Sequence, residues 1–320
     1  MRHLGLSESL RILLLMNHRT LIYLLPLFLS LALWQLSHAV EEKGKQADAS
    51  ENSTKPPRTD PEAVIIAQLS NSVEKRQLVE LTLSSGSFPA LYREETRGQP
   101  EGGIILLHDI DANADWPGVI SPLRHTLPDR GWHTLSLQLP LYPDKMDPAS
   151  LSALIEGAMP RINSAIDHYH AQSVTNIVFI GHGFGATLAA AWLAQDQQGR
   201  IQGLVTVGMK GMTGEDEKLD TTRQLEKLTI PILDIVGSRD LETVVKAATK
   251  RKTAMRRSAG KTASPSADKW PPRRYQRADV RYLQVQVAGA DHNFADLAPF
   301  LERRIWGWLK QHAGGTETLQ

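Results

Sequence analysis

Asn176-Ile177-Val178-Phe179-Ile180-Gly181-His182-Gly183-Phe184-Gly185-Ala186 is the stretch that decides the fold. Four consecutive apolar residues predict a strand covered on both faces, as in a parallel sheet. Three glycines in five residues follow, and then a small-residue helix over 184–195. Glycines on both sides of such a turn let helix and strand pack against each other almost without a loop. Upstream, Gly103-Ile104-Ile105-Leu106-Leu107 is a second continuous apolar run, and 132–137 is a third strand. Downstream, strands are expected at 203–208, 230–236 and 280–287. Helices are expected over 117–130, 150–170, from Leu241 onward and over 296–312. Strand–helix alternation of this length predicts an α/β fold with a doubly wound, mostly parallel sheet. Before it, residues 77–83 alternate in period two, and Phe88-Pro89-Ala90-Leu91-Tyr92 is the expected antiparallel hairpin partner across a Ser85-Gly86-Ser87 turn. Pro89 calls for an edge position or a bulge.

Strand, G-x-?-x-G, then helix is the nucleophile elbow of α/β-hydrolases. From about 77 to 312 the chain resembles that fold. It looks most like an exported proteobacterial α/β-hydrolase-like family of unknown function, whose elbow is glycine-rich and lacks serine. The middle residue should be Ser, Cys or Asp; here it is Gly183, a vacant nucleophile position. The resemblance implies the remaining parts one by one. Asp240, after the strand at 230–236, matches the triad acid, and His292, after the last strand, matches the triad histidine. The backbone N–H of Phe184 matches one oxyanion donor. The second comes from the loop after 103–107, which reads His108-Asp109-Ile110. Relatives often carry His-Gly there, so Asp109 brings a negative charge toward a site that should hold an oxyanion.

Each residue also has a plainer role. His292 can be a hydrogen-bonded histidine at a strand end, and Asp240 can cap the helix that follows it. Gly183 suits an elbow with positive φ, where a side chain costs about 1–3 kcal/mol. His182 reads as structural, or as an alternative acid, base or ligand. Ser238 and Thr187 lie nearby in sequence but lack the exposed elbow geometry of a nucleophile. His168 and His170 are two apart and point to different helix faces, so no metal site is expected. No cofactor is implied.

The flanks carry an address and a charge pattern. Leu21–Leu36 is an apolar run behind Arg11 and Arg19, followed by Ser37-His38-Ala39. That is the layout of a signal peptide over 1–39, cleaved after Ala39, with Met16 a second plausible start. The run is too short and Pro-interrupted for a good membrane span. Export to the periplasm is therefore expected; an uncleaved signal would anchor the chain in the inner membrane instead. Residues 40–60 are polar and read as a disordered linker. Asp60-Pro61 then starts a helix, so the domain is expected over 61–313 with a tail at 314–320.

The 320 residues hold 36 Lys+Arg and 35 Asp+Glu, and 41% are hydrophobic, which excludes whole-chain disorder. With no cysteine, disulfides, thiolate catalysis and cysteine metal sites are excluded. The charge is uneven. Lys250 to Arg277 holds ten basic residues and one acid, Asp268. This segment is a solvated face or a docking surface for an anionic membrane; nucleic acid is not expected. Without a nucleophile the first expectation is a non-catalytic protein binding a small molecule or an envelope protein. The alternative is a serine-independent hydrolase or lyase in which Asp240 orients His292 to activate a water or abstract a proton.

Overall fold

A computed structural model describes residues 61–141, 147–196, 198–212, 216–262 and 281–314. The expected signal and linker, Asp60 as a helix cap, most of the tail, and residues 263–280, which include the end of the basic segment, lie outside these. Helix α1 (Pro61–Ser72) leads into β1 (Leu78–Leu83) and β2 (Gly86–Arg93), paired antiparallel. The turn between them is Ser84-Ser85, so Gly86 and Ser87 already belong to β2. Then follow β3 (Gly102–Leu107), α2 (Ile120–Thr126), β4 (Trp132–Leu137), α3 (Pro148–Ala171) and β5 (Ile177–His182). The second half is α4 (Phe184–Leu193), β6 (Gly203–Val207), α5 (Thr221–Lys227), β7 (Ile232–Gly237), α6 (Glu242–Thr262), β8 (Tyr282–Val287) and α7 (Ala298–His312).

The strands form one eight-stranded sheet in the order β1-β2-β4-β3-β5-β6-β7-β8. From β4 to β8 every pairing is parallel; β1–β2 and β2–β4 are antiparallel. Pro89 is on neither edge nor bulge. It sits in β2 opposite Glu80, just before pairing with β4 begins at Ala90, so its missing N–H breaks no β2–β4 rung.

Continuous apolar strands make sense here because the sheet is covered twice. On β3 and β5, Ile105, Leu107, Ile177 and Phe179 face α3 and α4, while Ile104, Leu106, Val178 and Ile180 face α2 and α7. Successive side chains point to opposite faces, so both alternating sets must be apolar. Two glycines allow the elbow to close. A Cβ on Gly181 would overlap the backbone of Ala186, and one on Gly185 would overlap the carbonyls of Leu107 and His108. Helix α4 is therefore seated directly on β3 and β5, with its N-terminus at the sheet's C-terminal edge. One expected helix is shorter than anticipated: the α-helical part of 117–130 is Ile120–Thr126, with a 3-10 turn over Pro128–Arg130. Pro128 lacks the N–H that would continue the helix.

Candidate active site

Parallel topology brings the loops after β3, β5, β6, β7 and β8 to one edge, and each contributes one group. The elbow residue Gly183 has φ 54°, the left-handed region that a side chain resists. Its position is vacant in sequence only. The carboxyl group of Asp109, from the loop after β3, fills the place where a nucleophile's side chain would stand. A Cβ on Gly183 would overlap all three atoms of that carboxyl group.

Asp109 is buried and held at both oxygens. Oδ1 accepts the N–H of Phe184 at 2.6 Å and the N–H of Ile110 at 2.8 Å. Phe184 is the expected oxyanion donor, at a helix N-terminus where negative charge is favoured. Ile110 supplies the second donor that the sequence left open. Oδ2 lies 2.9 Å from His292 Nε2 and 2.8 Å from Lys210 Nζ. Burial opposes this charge, but the His292 and Lys210 partners dominate and hold the Asp109 carboxyl far below the usual range.

His292 is bracketed by carboxylates, with Nδ1 2.6 Å from Asp240 Oδ1. Burial pushes its pKa down, but hydrogen bonds to Asp109 and Asp240 and their charges outweigh it, and the pKa rises to about 9. The same Oδ1 also accepts the N–H of Leu241, the residue before α6, so Asp240 pairs with His292 but bonds no N–H of the helix's first turn. Its Oδ2 is buried with no hydrogen-bond partner among the described residues. Gly208, with φ 58°, clears space for the pair, since a Cβ there would press to within 3.1 Å of the His292 ring and 3.2 Å of Asp240 Oδ2.

The other two histidines are supports. His182 Nε2–H donates to the carbonyl of His292 at 2.9 Å, and its ring packs on His292 with centroids 5.0 Å apart. Burial lowers its pKa, so it remains neutral. His108 donates from Nδ1 to the carbonyl of Asp109 at 2.7 Å and accepts the N–H of Leu139 at Nε2 at 3.0 Å. Both ring nitrogens are used and burial lowers its pKa to about 4, so it is a neutral strut fixing the Asp109 loop, and it also lines the cleft beside Asp109. Ser238 Oγ accepts the N–H of Gly289, and Thr187 Oγ1 faces the carbonyl of Lys210 at 3.4 Å. Lys210 has no counterpart among the residues singled out from the sequence. It follows β6 within Gly208-Met209-Lys210-Gly211, where no motif marks it.

Beside Asp109 lies a shallow surface cleft with a cavity volume of about 20 Å³, bounded by His108, Ile110, Leu139, Pro140, Leu154 and Leu188. Residues 142–146, which follow this wall, lie outside the described ones.

A family model described as "Protein of unknown function (DUF3530)" matches residues 22–158 and 143–262. The chain belongs to this family. No curated protein matches the DUF3530 chain. Among solved structures it is similar to Est1E from Butyrivibrio proteoclasticus, with 12% identity, TM-score 0.54, and 74% of this chain and 98% of that one covered. It is similar to a dienelactone hydrolase from Anabaena variabilis (13% identity, TM-score 0.53, 74% and 97% covered). A third is the esterase domain of a Rhodothermus marinus protein (13% identity, TM-score 0.52, 74% and 98% covered). At such identities the likeness establishes the α/β-hydrolase fold of this DUF3530 member and leaves its chemistry to the site.

Proposed function

We propose that the chain is a serine-independent hydrolase built on the Asp240–His292 dyad. One observation carries the reading: the dyad is closed at 2.6 Å and continues, after a further 2.9 Å, to a carboxylate standing where a nucleophile belongs. The alternative, a non-catalytic ligand- or partner-binding protein of the cell envelope, draws its support from the missing side chain at Gly183. That support weakens once the place is filled by Asp109. A centre relieved of catalysis gains stability by exchanging buried charges for apolar groups, yet here two carboxylates, an imidazolium and Lys210 persist around one turn. Of the four non-glycine residues with positive φ among the described residues, Asp111, Phe294 and Asp296 lie in the loops carrying Asp109 and His292. Strain of this kind collects at functional sites. The space beside Gly183 is filled by Asp109, so it does not hold the water that His292 would activate.

The test is turnover of an ester, thioester, lactone and epoxide panel by the full-length chain beside His292→Ala. General acid–base catalysis is worth about 10²–10⁴-fold, and a loss of that size is expected for one substrate class. Equal rates from both proteins on every substrate would overturn the reading and leave the binding one.

The signal-like N-terminus supports export to the periplasm. Lys250, Lys252, Arg256 and Arg257 on the solvent side of α6 support docking to anionic phospholipid. Vesicle binding that falls as salt rises is the expected result; binding indifferent to salt would remove the docking part.

A further inference from the structure

The oxyanion hole is occupied, and by what it is occupied restricts the substrate. Both N–H donors, Phe184 and Ile110, are taken by Oδ1 of Asp109. While Asp109 stands there, no substrate carbonyl can use the hole. The one carbonyl the hole can serve is Asp109's own, should its carboxyl become an ester. Oδ2 faces the two proton donors of the site, His292 Nε2 and Lys210 Nζ. A group leaving from a carbon attacked by Oδ2 would depart within reach of either. The neighbouring cleft is small and mainly apolar.

Resting on the hydrolase reading above, we propose that Asp109 is a covalent nucleophile toward saturated carbon and that the substrate is a small apolar epoxide. Carboxylates are established covalent nucleophiles. An epoxide needs no hole in the first step but needs a proton on its departing oxygen. An acyl substrate needs the hole at once, and a halide leaves without a proton.

The steps balance. Oδ2 forms a bond to a ring carbon as the ring C–O bond breaks, and the ring oxygen takes the proton of His292 Nε2. Asp109 is now an ester whose carbonyl oxygen, Oδ1, remains in the hole. Neutral His292 next takes a proton from water as the water oxygen adds to Cγ. The negative charge goes to Oδ1, where the N–H groups of Phe184 and Ile110 stabilise it. The Cγ–Oδ2 bond breaks, the departing oxygen takes the proton back from His292, and the proton left on Asp109 returns to His292. The sum is epoxide plus water giving a vicinal diol. The diol leaves with the former Oδ2, and the water oxygen stays on Asp109.

The raised pKa of His292 fits this order, because the cycle starts with the imidazole protonated.

The experiment is a single turnover of styrene oxide by excess full-length wild-type chain in ¹⁸O-water, followed by mass analysis of the diol and of the peptide containing Asp109. Expected are one ¹⁸O in that peptide and an unlabelled diol, with Asp109→Asn losing at least a hundredfold in rate while its melting transition persists. A labelled diol with no label in the peptide would mean direct attack by water: the nucleophile proposal falls and the hydrolase reading stands. Esters hydrolysed in a His292-dependent way with styrene oxide untouched would overturn the substrate class. No His292-dependent turnover of any substrate would overturn both.

Discussion

Gly183 and Asp109 occupy one space between them, and single substitutions there should behave accordingly. Placing serine at the elbow looks like a restoration when only the motif is considered. In the structure Gly183→Ser forces its side chain into the Asp109 carboxyl group and adds about 1–3 kcal/mol of positive-φ strain. The single variant is expected to lose stability by more than that strain and to gain no esterase activity. Adding Asp109→Gly frees both the seat and the hole, so the double variant should recover part of the stability and show esterase activity. Denaturant melts and an ester assay check both; an active Gly183→Ser single variant would contradict the overlap. pH gives a second handle. His292 is raised in the folded state, so its contribution is fully present below the unfolded value near 6.5 and is lost as pH rises through about 9. Asp109 is lowered, so its contribution is present above about 4 and is lost as pH falls further. Stability should therefore decline between pH 6.5 and 9, and His292→Gln should flatten that limb in pH-dependent melts. Epoxide kcat/KM is expected to fall above pH 9, where the imidazole no longer has a proton to give. Asp240 and His292 were legible because they sit at fixed places relative to strands. Asp109 was legible only as a negative charge near the hole, since a loop's curl is not written in spacing, and Lys210 carried no signal at all.

Helix α6 shows how a charge run can mislead about its members. Arg251 lies within the basic segment, yet it is fully buried, at 3.0 and 3.1 Å from the two oxygens of Asp234 in β7. Its Nη1 also donates to the carbonyl of Met209, one residue before Lys210. Asp234 further meets Thr206, Tyr282 and Gln284, so this ion pair ties α6 to three strands. Removing one partner leaves a buried charge alone, which costs about 3–5 kcal/mol. Arg251→Ala should lose that much in a denaturant melt, and Lys252→Ala, on the solvent side, should change by less than about 0.5 kcal/mol. Equal effects from the two would refute the assignment. Sequence alone separates them poorly. Arg251 falls on the same helical face as the apolar Val244, Ala248 and Met255, but its buried partner is on a different element. The hairpin turn moved by one residue for a similar reason, since Ser84, Ser85, Gly86 and Ser87 suit turns almost equally.

Across the whole molecule, the fold class was readable because its determinants are long and local, whereas the strand order was not among the expectations. Runs such as Ile104–Leu107 and Ile177–Ile180 are apolar on both faces, and that is affordable only between two helical layers. The same topology gathers the loops after five parallel strands at one edge, which is where ligands meet such sheets. What the topology leaves open is which loop side chain enters the central seat, and here that decides the chemistry. The most direct measurement is the rate of the substrate panel for Asp109→Asn beside His292→Ala. If Asp109 is working machinery, both variants fall together by a hundredfold or more on the substrate that wild type turns over. If Asp109→Asn matches or exceeds wild type, the carboxylate is a plug in an otherwise competent site, and its role as nucleophile is contradicted.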